Sequence, residues 1–294
     1  MKKFYSNKVA ICIFTLPTLI LFTLFVVYPI LPEILISLHK NDGFKSSAFV
    51  GLSNYIEVLK SPVFWKSNNN TLIIVAISTL IGIPISLLMA LLIDIQTKWI
   101  KRFFKATIVF PAVLSVTVIA QMWVAIYEPQ WGLLNRFLKY LGFANITMAW
   151  LSNEKTVLIC VAVAFVWQYL GLNALLFYTG IKTIPKTYYE AALIDGAGFF
   201  KCSIKITIPL LQEMTKYVLF VSILGSMSQF AHVKIMTSGG PGDASRSVIY
   251  QLYYTAFSMS DFGQGSAIAV LFIIECLMIT VIINKFVARE KLEF

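Results

Sequence analysis

The stretch YYEAALIDGAGFFKCSIKITIPLL, from Tyr188 to Leu211, is an island of polar and small residues between two long apolar segments. Thr187 and Glu190 have the S/T-x-x-E spacing of a capping box, which predicts that a short helix starts there. Gly196 and Gly198 are residues that commonly end a helix. The stretch therefore predicts a short exposed helix that lies outside the apolar segments.

Small residues dominate the predicted helix, so its backbone can approach another protein surface closely. We predict a docking surface that consists of Glu190, Ala191, Ala192, Asp195, Gly196, Ala197 and Gly198. The alternative is an amphipathic helix that lies on a membrane, which would carry Lys and Arg opposite large apolar residues. The abundance of Ala and Gly favours the docking surface.

Four motifs in this chain resemble those of one transporter family. EAALIDGAG followed by ITIPLL resembles the EAA motif of ABC importer permeases, the cytoplasmic loop that docks on an ATPase subunit. The other three resemble the carbohydrate branch, which includes the larger permease of the maltose transporter. They are FVGLSNY at 49–55, MTSGGPGDAS at 236–245 and YTAFSMSDFGQGSAIAV at 254–270. The resemblance covers about residues 49–270 and implies the ABC importer permease fold.

The composition indicates a membrane protein. Hydrophobic residues make up 58% of the chain and charged residues 13%, and the mean hydropathy is +0.79. The net charge of +10 comes from short basic clusters beside apolar segments, which is typical of membrane topology rather than of nucleic-acid binding. The four cysteines lack metal-type spacing, so we predict no disulfide and no metal site.

Six apolar segments are long enough to be transmembrane helices. They cover approximately residues 9–30, 72–93, 106–127, 157–181, 217–236 and 267–284. The first lacks the cleavage site of a secretory signal and should remain as a helix. We therefore predict an all-α polytopic membrane protein with one permease domain over residues 1–294 and a docking loop at residues 182–216.

The distribution of basic residues predicts the orientation of these helices. Of the 24 Lys and Arg residues, 15 lie on the side of the N-terminus, where the docking loop and the C-terminus also fall. Basic residues concentrate on the cytoplasmic side of membrane proteins. We predict a multi-pass protein of the bacterial cell membrane whose two termini and docking loop face the cytoplasm.

Catalytic motifs are absent from the sequence. The chain has no G-x-x-x-x-G-K-[ST] sequence to bind ATP phosphates, no G-x-S-x-G and no H-E-x-x-H. We therefore predict a transport subunit without catalytic residues, metal or cofactor of its own. The resemblance implies that ATP and Mg are bound by partner ATPase subunits.

Small and polar residues follow one side of the fifth helix. Ser222, Gly225, Ser226 and Gln229 have the spacing of a single helix face, and His232 extends it. This face could line a transport pathway or pack closely against another helix. The resemblance implies a sugar-lining role for residues on the helices before and after the docking loop. By position these are Gln168, Tyr169, Leu172, Ser222, Gly225, Ser226 and Gln229.

A sugar site uses aromatic faces and hydrogen-bonding amides or hydroxyls, which Tyr169, Gln168 and Gln229 supply. Leu172 and Gly225 occupy positions where the maltose permease pattern has aromatic residues. This departure predicts a ligand whose shape differs from that of maltose.

Glu275 lies near the middle of the sixth apolar segment, where a charged carboxylate exposed to lipid is unfavourable. Its apolar neighbours favour a buried, neutral, hydrogen-bonded acid. The alternative is a role in a polar pathway.

These features predict a permease subunit of an ATP-driven importer for an oligosaccharide or sugar derivative. The resemblance implies four kinds of partner: a second permease, two ATP-binding cassette subunits, an extracellular or periplasmic sugar-binding protein and the lipid bilayer. Two alternatives stay open: a permease for a solute such as glycerol-3-phosphate, and a proton-coupled transporter that uses Glu275 and His232. An anionic solute should require Lys or Arg in the cavity, and only Lys234, near the outer rim, is a candidate.

Overall fold

The computed structural model of this protein describes residues 8–43 and 48–287, which form two compact units. The first unit is Met1–Ser61 with Leu252–Ile274, and the second is Pro62–Gln251 with Glu275–Phe294. The basic residues at 2, 3, 289 and 291, which contributed to the predicted orientation, lie outside the described residues. The single domain over residues 1–294 stays a prediction.

The first unit combines apolar helices with a small two-stranded ribbon. Its elements are α1 (Lys8–Phe22), α2 (Ile30–Ser37), antiparallel strands β1 (His39–Lys40) and β2 (Ala48–Phe49), and α3 (Ser53–Lys60). A π-helical turn, Thr23–Val27, lies between α1 and α2.

The FVGLSNY motif fixes the ribbon to α2. Asn54 is buried, and its Nδ2 atom donates to the carbonyl oxygens of Ser37 at 2.8 Å and His39 at 3.0 Å. The hydroxyl groups of Tyr55 and Ser37 lie 2.6 Å apart. The motif therefore has a structural role in this unit: its side chains hydrogen-bond the end of α2 and the first strand.

The second unit is a helical bundle. Its helices are α4 (Pro62–Ile77), α5 (Ile83–Asp94), α6 (Lys98–Val113), α7 (Val116–Tyr127), α8 (Leu133–Tyr140), α9 (Val157–Thr183), α10 (Lys186–Ile194), α11 (Phe199–Cys202), α12 (Ile208–Leu210), α13 (Gln212–Met227) and α14 (Ala231–Met236). Two further helices, α15 (Val248–Tyr253) and α16 (Phe262–Val287), complete the chain, and π-helical turns lie at Ser78–Gly82, Ser203–Thr207 and Tyr254–Ser258.

Among the described residues, four helices are long and apolar enough to cross a membrane, and six spans result if two bent pairs are included. The continuous spans are Ile11–Ser37, Pro62–Asp94, Val157–Thr183 and Phe262–Lys285; the bent pairs are Lys98–Val113 with Val116–Tyr127, and Phe199–Leu210 with Gln212–Met227. Each predicted apolar segment overlaps one of these six spans. The prediction of a largely helical polytopic membrane protein is confirmed.

Two predicted helices are interrupted. The third segment bends by 96° between α6 and α7, after Pro111. The fifth helix ends at Met227, and α14 begins only at Ala231, so the predicted continuous helix over 217–236 is wrong. Side chains bind the backbone at both breaks, because polar backbone groups within an apolar bundle need partners. Gln168 donates to the Leu114 carbonyl at 3.4 Å, and the Ser247 hydroxyl donates to the Gln229 carbonyl at 2.5 Å.

Helix α9 contributes to two groups of buried side chains in the second unit. Phe177 and Ile181 pack with residues of α5 and α13, while Phe165 packs with Ile74 of α4. Gly171 lies so close to α6 that a Cβ atom there would be 1.7 Å from the Ile108 carbonyl oxygen. The close approach of these two helices therefore requires glycine.

Candidate functional site

A cavity of about 390 Å³ lies among the helices of the second unit. Its wall is formed by the turn between α4 and α5, by α9, by α13 and α14 with the break between them, and by the first residue of α7. The lining residues are Ser78, Gly82, Val116, Phe165, Val166, Tyr169, Leu170, Leu172, Asn173, Val221, Ser222, Gly225, Ser228, Gln229, Phe230, Ala231 and His232. The volume is within the range of about 300–1,000 Å³ that is typical of ligand pockets.

Five of the seven predicted substrate-binding residues line this cavity. They are Tyr169, Leu172, Ser222, Gly225 and Gln229. Gly225 leaves open space, since a Cβ atom there would find its nearest neighbour, Phe165 Cζ, at 4.0 Å. The structure therefore brings residues from both predicted helices to one cavity, while their contact with a substrate stays a prediction.

Ser226 and Gln168 do not line the cavity. Ser226 is fully buried, and its hydroxyl donates to the carbonyls of its own helix at Ser222 and Ile223, at 2.7 and 2.9 Å. The side chain of Gln168 is directed to the carbonyl of Leu114, at the break between α6 and α7. In this conformation these two side chains support the backbone.

Several lining residues were not predicted from the sequence. Ser78 and Gly82 lie on the turn between α4 and α5, and Asn173 lies on α9 beside the predicted residues. The Nδ2 atom of Asn173 donates to the hydroxyl of Ser222 at 3.1 Å. The sequence did contain a signal for two of these residues. Ser78 and Gly82 are a polar and a small residue four positions apart in an apolar segment, which places them on one face of a helix.

The cavity combines aromatic rings with a short hydrogen-bonded network. The rings of Phe165 and Tyr169 have centroids 5.0 Å apart, and the His232 ring meets Phe165 edge-on at 5.9 Å. The Nδ1 atom of His232 lies 2.9 Å from Oε1 of Gln229. Among the described residues that line the cavity, none is Lys, Arg, Asp or Glu. Such a wall suits an uncharged ligand with apolar faces and hydroxyl groups.

The predicted exposed helix exists as α10, but its start differs from the prediction. The helix begins at Lys186, with Pro185 as the preceding residue, and no side chain caps it. Thr187 is already inside the first turn, so the predicted capping box is wrong. Pro185 occupies the N-cap position with a fixed φ of −58°, and its side chain offers no acceptor to the first amides of the helix.

Gly196 ends this helix as predicted. Its φ is +71°, and the backbone amides of Gly196 and Ala197 donate to the carbonyls of Leu193 at 3.1 Å and Ala192 at 2.9 Å. These two bonds define a Schellman motif. The motif requires a left-handed backbone conformation, which glycine adopts without strain. Gly198 then precedes α11 in an extended conformation.

Most of the predicted docking residues are accessible, but Ala197 is not. Glu190, Ala191, Asp195, Gly196 and Gly198 are exposed and Ala192 is half-buried. Ala197 is buried within the chain, so its side chain cannot contribute the predicted contact. The large apolar side chains of this region were not among the predicted docking residues. Leu193, Ile194, Phe200 and Ile204 are all more than half exposed, with Ile194 at 88%.

Glu275 has a side-chain partner within the second unit. The Nδ2 atom of Asn68, on α4, donates to Oε1 of Glu275 at 2.5 Å. The apolar side chains around Glu275 on α16 and this amide contact fit the predicted structural acid. Its protonation state stays a prediction.

The profile of one protein family, the binding-protein-dependent transport system inner membrane components, matches residues 82–291. The chain belongs to this family. The match includes the exposed helix α10 and most of the cavity. The predicted resemblance to importer permeases is therefore confirmed, and family membership argues against a proton-coupled transporter.

Two curated relatives are similar to this permease over almost its whole length. The arabinooligosaccharides transport system permease protein AraP of Bacillus subtilis is 32% identical over 96% of this chain and 90% of its own. The trehalose/maltose transport system permease protein MalF of Thermococcus litoralis is 31% identical over 92% of this chain and 90% of its own.

A solved structure confirms the fold of the permease. A chain in the crystal structure of a bacterial ABC transporter, involved in the import of the acidic polysaccharide alginate, superposes with a TM-score of 0.81. The match covers 97% of each chain at 20% identity. At this identity the likeness establishes the ABC importer permease fold and nothing about the ligand.

Proposed function

We propose that this permease forms, with a second permease, the membrane pathway of an ATP-driven importer for an oligosaccharide or a sugar derivative. The observation that carries the proposal is the cavity between α9 and α13. Tyr169 and Phe165 offer aromatic faces for sugar rings, and Gln229 and Ser222 belong to its polar part. The similarity to AraP and MalF, which are named for arabinooligosaccharide and trehalose/maltose transport, supports the carbohydrate class.

The proposed machinery includes two ATPase subunits and a binding protein that delivers the sugar from outside the cell. ATP and Mg are bound by the ATPase subunits rather than by this chain. We assign ATPase docking to α10 and the segment that follows it, because its EAALIDGAG sequence resembles the loop that docks on an ATPase subunit. Exposed apolar side chains in this segment are available for such a contact. Ile194 and Phe200, at 88% and 76% exposure, are the central residues of this surface.

The proposed orientation places the docking surface and both termini in the cytoplasm, where ATP is available. Lys182 forms an ion pair with Asp94, and Lys101 lies 3.8 Å from the same carboxylate, so basic residues gather at the ends of α5 and α9. This concentration supports a cytoplasmic location for that end of the bundle.

An anionic solute such as glycerol-3-phosphate is the second candidate. A phosphate group in a water-poor cavity needs a cationic partner. Lys234 is absent from the cavity lining, and its Nζ atom lies 5.8 Å from the ring centroid of Tyr250. The described cavity therefore favours an uncharged ligand.

The test measures uptake in proteoliposomes that contain the assembled importer. We expect ATP-dependent uptake of at least one of maltotriose, raffinose and xylotriose when the binding protein is present. Tyr169→Leu should reduce this uptake about tenfold or more, because it removes an aromatic stacking face. Ser226→Ala is the matched control and should leave uptake unchanged. Uptake of glycerol-3-phosphate alone would contradict the proposal. Uptake of an alginate trisaccharide alone would contradict only the preference for an uncharged ligand.

A further inference from the structure

His232 is the most deeply buried polar residue in the wall of the cavity, with 1% of its surface exposed. One of its two ring nitrogens has a hydrogen-bond partner among the described residues, and the other has none. The Nδ1 atom lies 2.9 Å from Oε1 of Gln229, whereas the Nε2 atom has no hydrogen-bond partner among the described residues. Buried polar atoms in native proteins are nearly always paired, and an exception calls for a functional explanation.

The hydrogen bonds around Gln229 determine which nitrogen of His232 carries the proton. Nε2 of Gln229 donates to the carbonyl oxygen of Gly225 at 3.4 Å, which directs the amide oxygen of Gln229 to His232. An amide oxygen only accepts hydrogen bonds, so Nδ1 of His232 must be the donor. In the neutral imidazole the proton is then on Nδ1, and Nε2 is an acceptor.

We infer that Nε2 of His232 accepts a hydrogen bond from a hydroxyl group of the transported carbohydrate and thereby selects ligands that present a donor at that position. This inference rests on the proposed function and adds a specificity residue to it. A hydroxyl satisfies an unpaired acceptor, whereas a carboxylate or phosphate oxygen cannot. Nε2 is covered in this conformation, so the proposed contact requires the cavity to widen at His232.

Two substitutions separate this role from simple support of Gln229. His232→Asn keeps an amide donor near the position of Nδ1 but removes every atom near Nε2. His232→Gln places an amide oxygen near the position of Nε2, where it can accept from a ligand. We expect uptake of the preferred neutral oligosaccharide to fall about tenfold in His232→Asn and to stay within about threefold of the parent in His232→Gln.

The opposite ranking would overturn the inference, because it would mean that only the bond to Gln229 matters. Equal uptake by His232→Asn and the parent would also overturn it. The matched control is His39→Asn: His39 lies in the first unit, and its Nδ1 atom contacts the Leu35 carbonyl at 2.7 Å. This variant should transport normally.

Monodeoxy derivatives of the preferred oligosaccharide provide a test that does not depend on any variant. The parent importer should take up one derivative about tenfold more slowly than the intact sugar, because a buried polar group then remains unpaired. His232→Asn should abolish that difference. Equal uptake of all derivatives would overturn the role of His232 and leave the proposed function intact. If the parent imports no oligosaccharide and no sugar derivative, both proposals fall.

Discussion

Nδ2 of Asn173 donates a hydrogen bond of 3.1 Å to the hydroxyl of Ser222, and this pair joins α9 to α13 at the cavity. Both residues are at least nine-tenths buried. Ser222→Ala leaves the amide without its partner, so we expect a loss of stability on the order of 1–3 kcal/mol. Thermal unfolding of the purified importer measures this loss.

Ser226→Ala is the control for that prediction. Within the described part of the chain, the Ser226 hydroxyl bonds to carbonyls of its own helix, so its removal leaves no buried donor there without a partner. We expect a change below about 0.5 kcal/mol. Equal losses for the two alanine variants would show that Asn173 finds another partner when Ser222 is absent.

The contact between α6 and α9 predicts that Gly171→Ala prevents correct assembly. A Cβ atom would be 1.7 Å from the Ile108 carbonyl oxygen, and a backbone atom cannot yield as a side chain can. Overpacking of this kind costs about 1–3 kcal/mol or more. The yield of monodisperse importer measures the effect. Gly225→Ala is the control, because its Cβ has open space, and a normal yield of Gly171→Ala would contradict the close helix approach.

The sequence predicts the apolar spans well because each needs about 20 apolar residues, a property that local composition reveals. The breaks at Leu114 and Ser228 are harder to predict, since the backbone there is bound by Gln168 and Ser247 from distant parts of the chain. Pro111 was a local signal for the first break.

Helical spacing correctly places Ser222 and Gly225 at one cavity, and Gln229 also lines it although it lies beyond the end of α13. Spacing alone cannot show that the Ser226 hydroxyl bonds back to its own helix. It also cannot reveal that the turn between α4 and α5 contributes to the wall. These features depend on packing between segments that are far apart in sequence.

Gln168 and Tyr169 are neighbours in sequence with opposite expected roles. Gln168→Leu leaves the Leu114 carbonyl without its side-chain donor, so we expect a stability loss of about 1–3 kcal/mol in the absence of sugar. Tyr169→Leu should reduce uptake but lower stability less than Gln168→Leu does, because the Tyr169 side chain lines the cavity. Thermal unfolding without ligand and the KM for uptake distinguish them. A raised KM with unchanged stability in Gln168→Leu would restore its predicted contact with sugar.

The contact between Asn68 and Glu275 predicts that Glu275→Gln is nearly silent. Glutamine keeps an oxygen that can accept from Nδ2 of Asn68, and it has the size of a protonated carboxyl group. Uptake should stay within about twofold of the parent. Glu275→Leu should lower uptake more than Glu275→Gln does, because it leaves the Asn68 amide without this partner. A large loss in Glu275→Gln, measured as ATP-dependent uptake, would assign the carboxyl group to the transport pathway.

The docking surface predicts that a charge at Ile194 releases the ATPase subunits. Ile194 is 88% exposed, so Ile194→Glu should not disturb the fold of the permease, but a buried carboxylate in a protein interface is strongly unfavourable. We expect at least a tenfold loss of ATPase subunits that co-purify with the permease. This substitution tests docking more directly than Gly196→Leu, because φ of +71° at Gly196 strains any larger residue before a partner is considered.

Glu190→Ala is the matched control on the same helix. Glu190 is exposed and does not cap α10, so its removal should leave the permease stable and reduce ATPase recovery less than Ile194→Glu does. Sugar-stimulated ATP hydrolysis in lipid vesicles provides a second measurement. Full ATPase recovery and normal coupling in Ile194→Glu would show that the exposed apolar side chains of this loop do not bind the ATPase, and the assignment of α10 as the docking helix would fall.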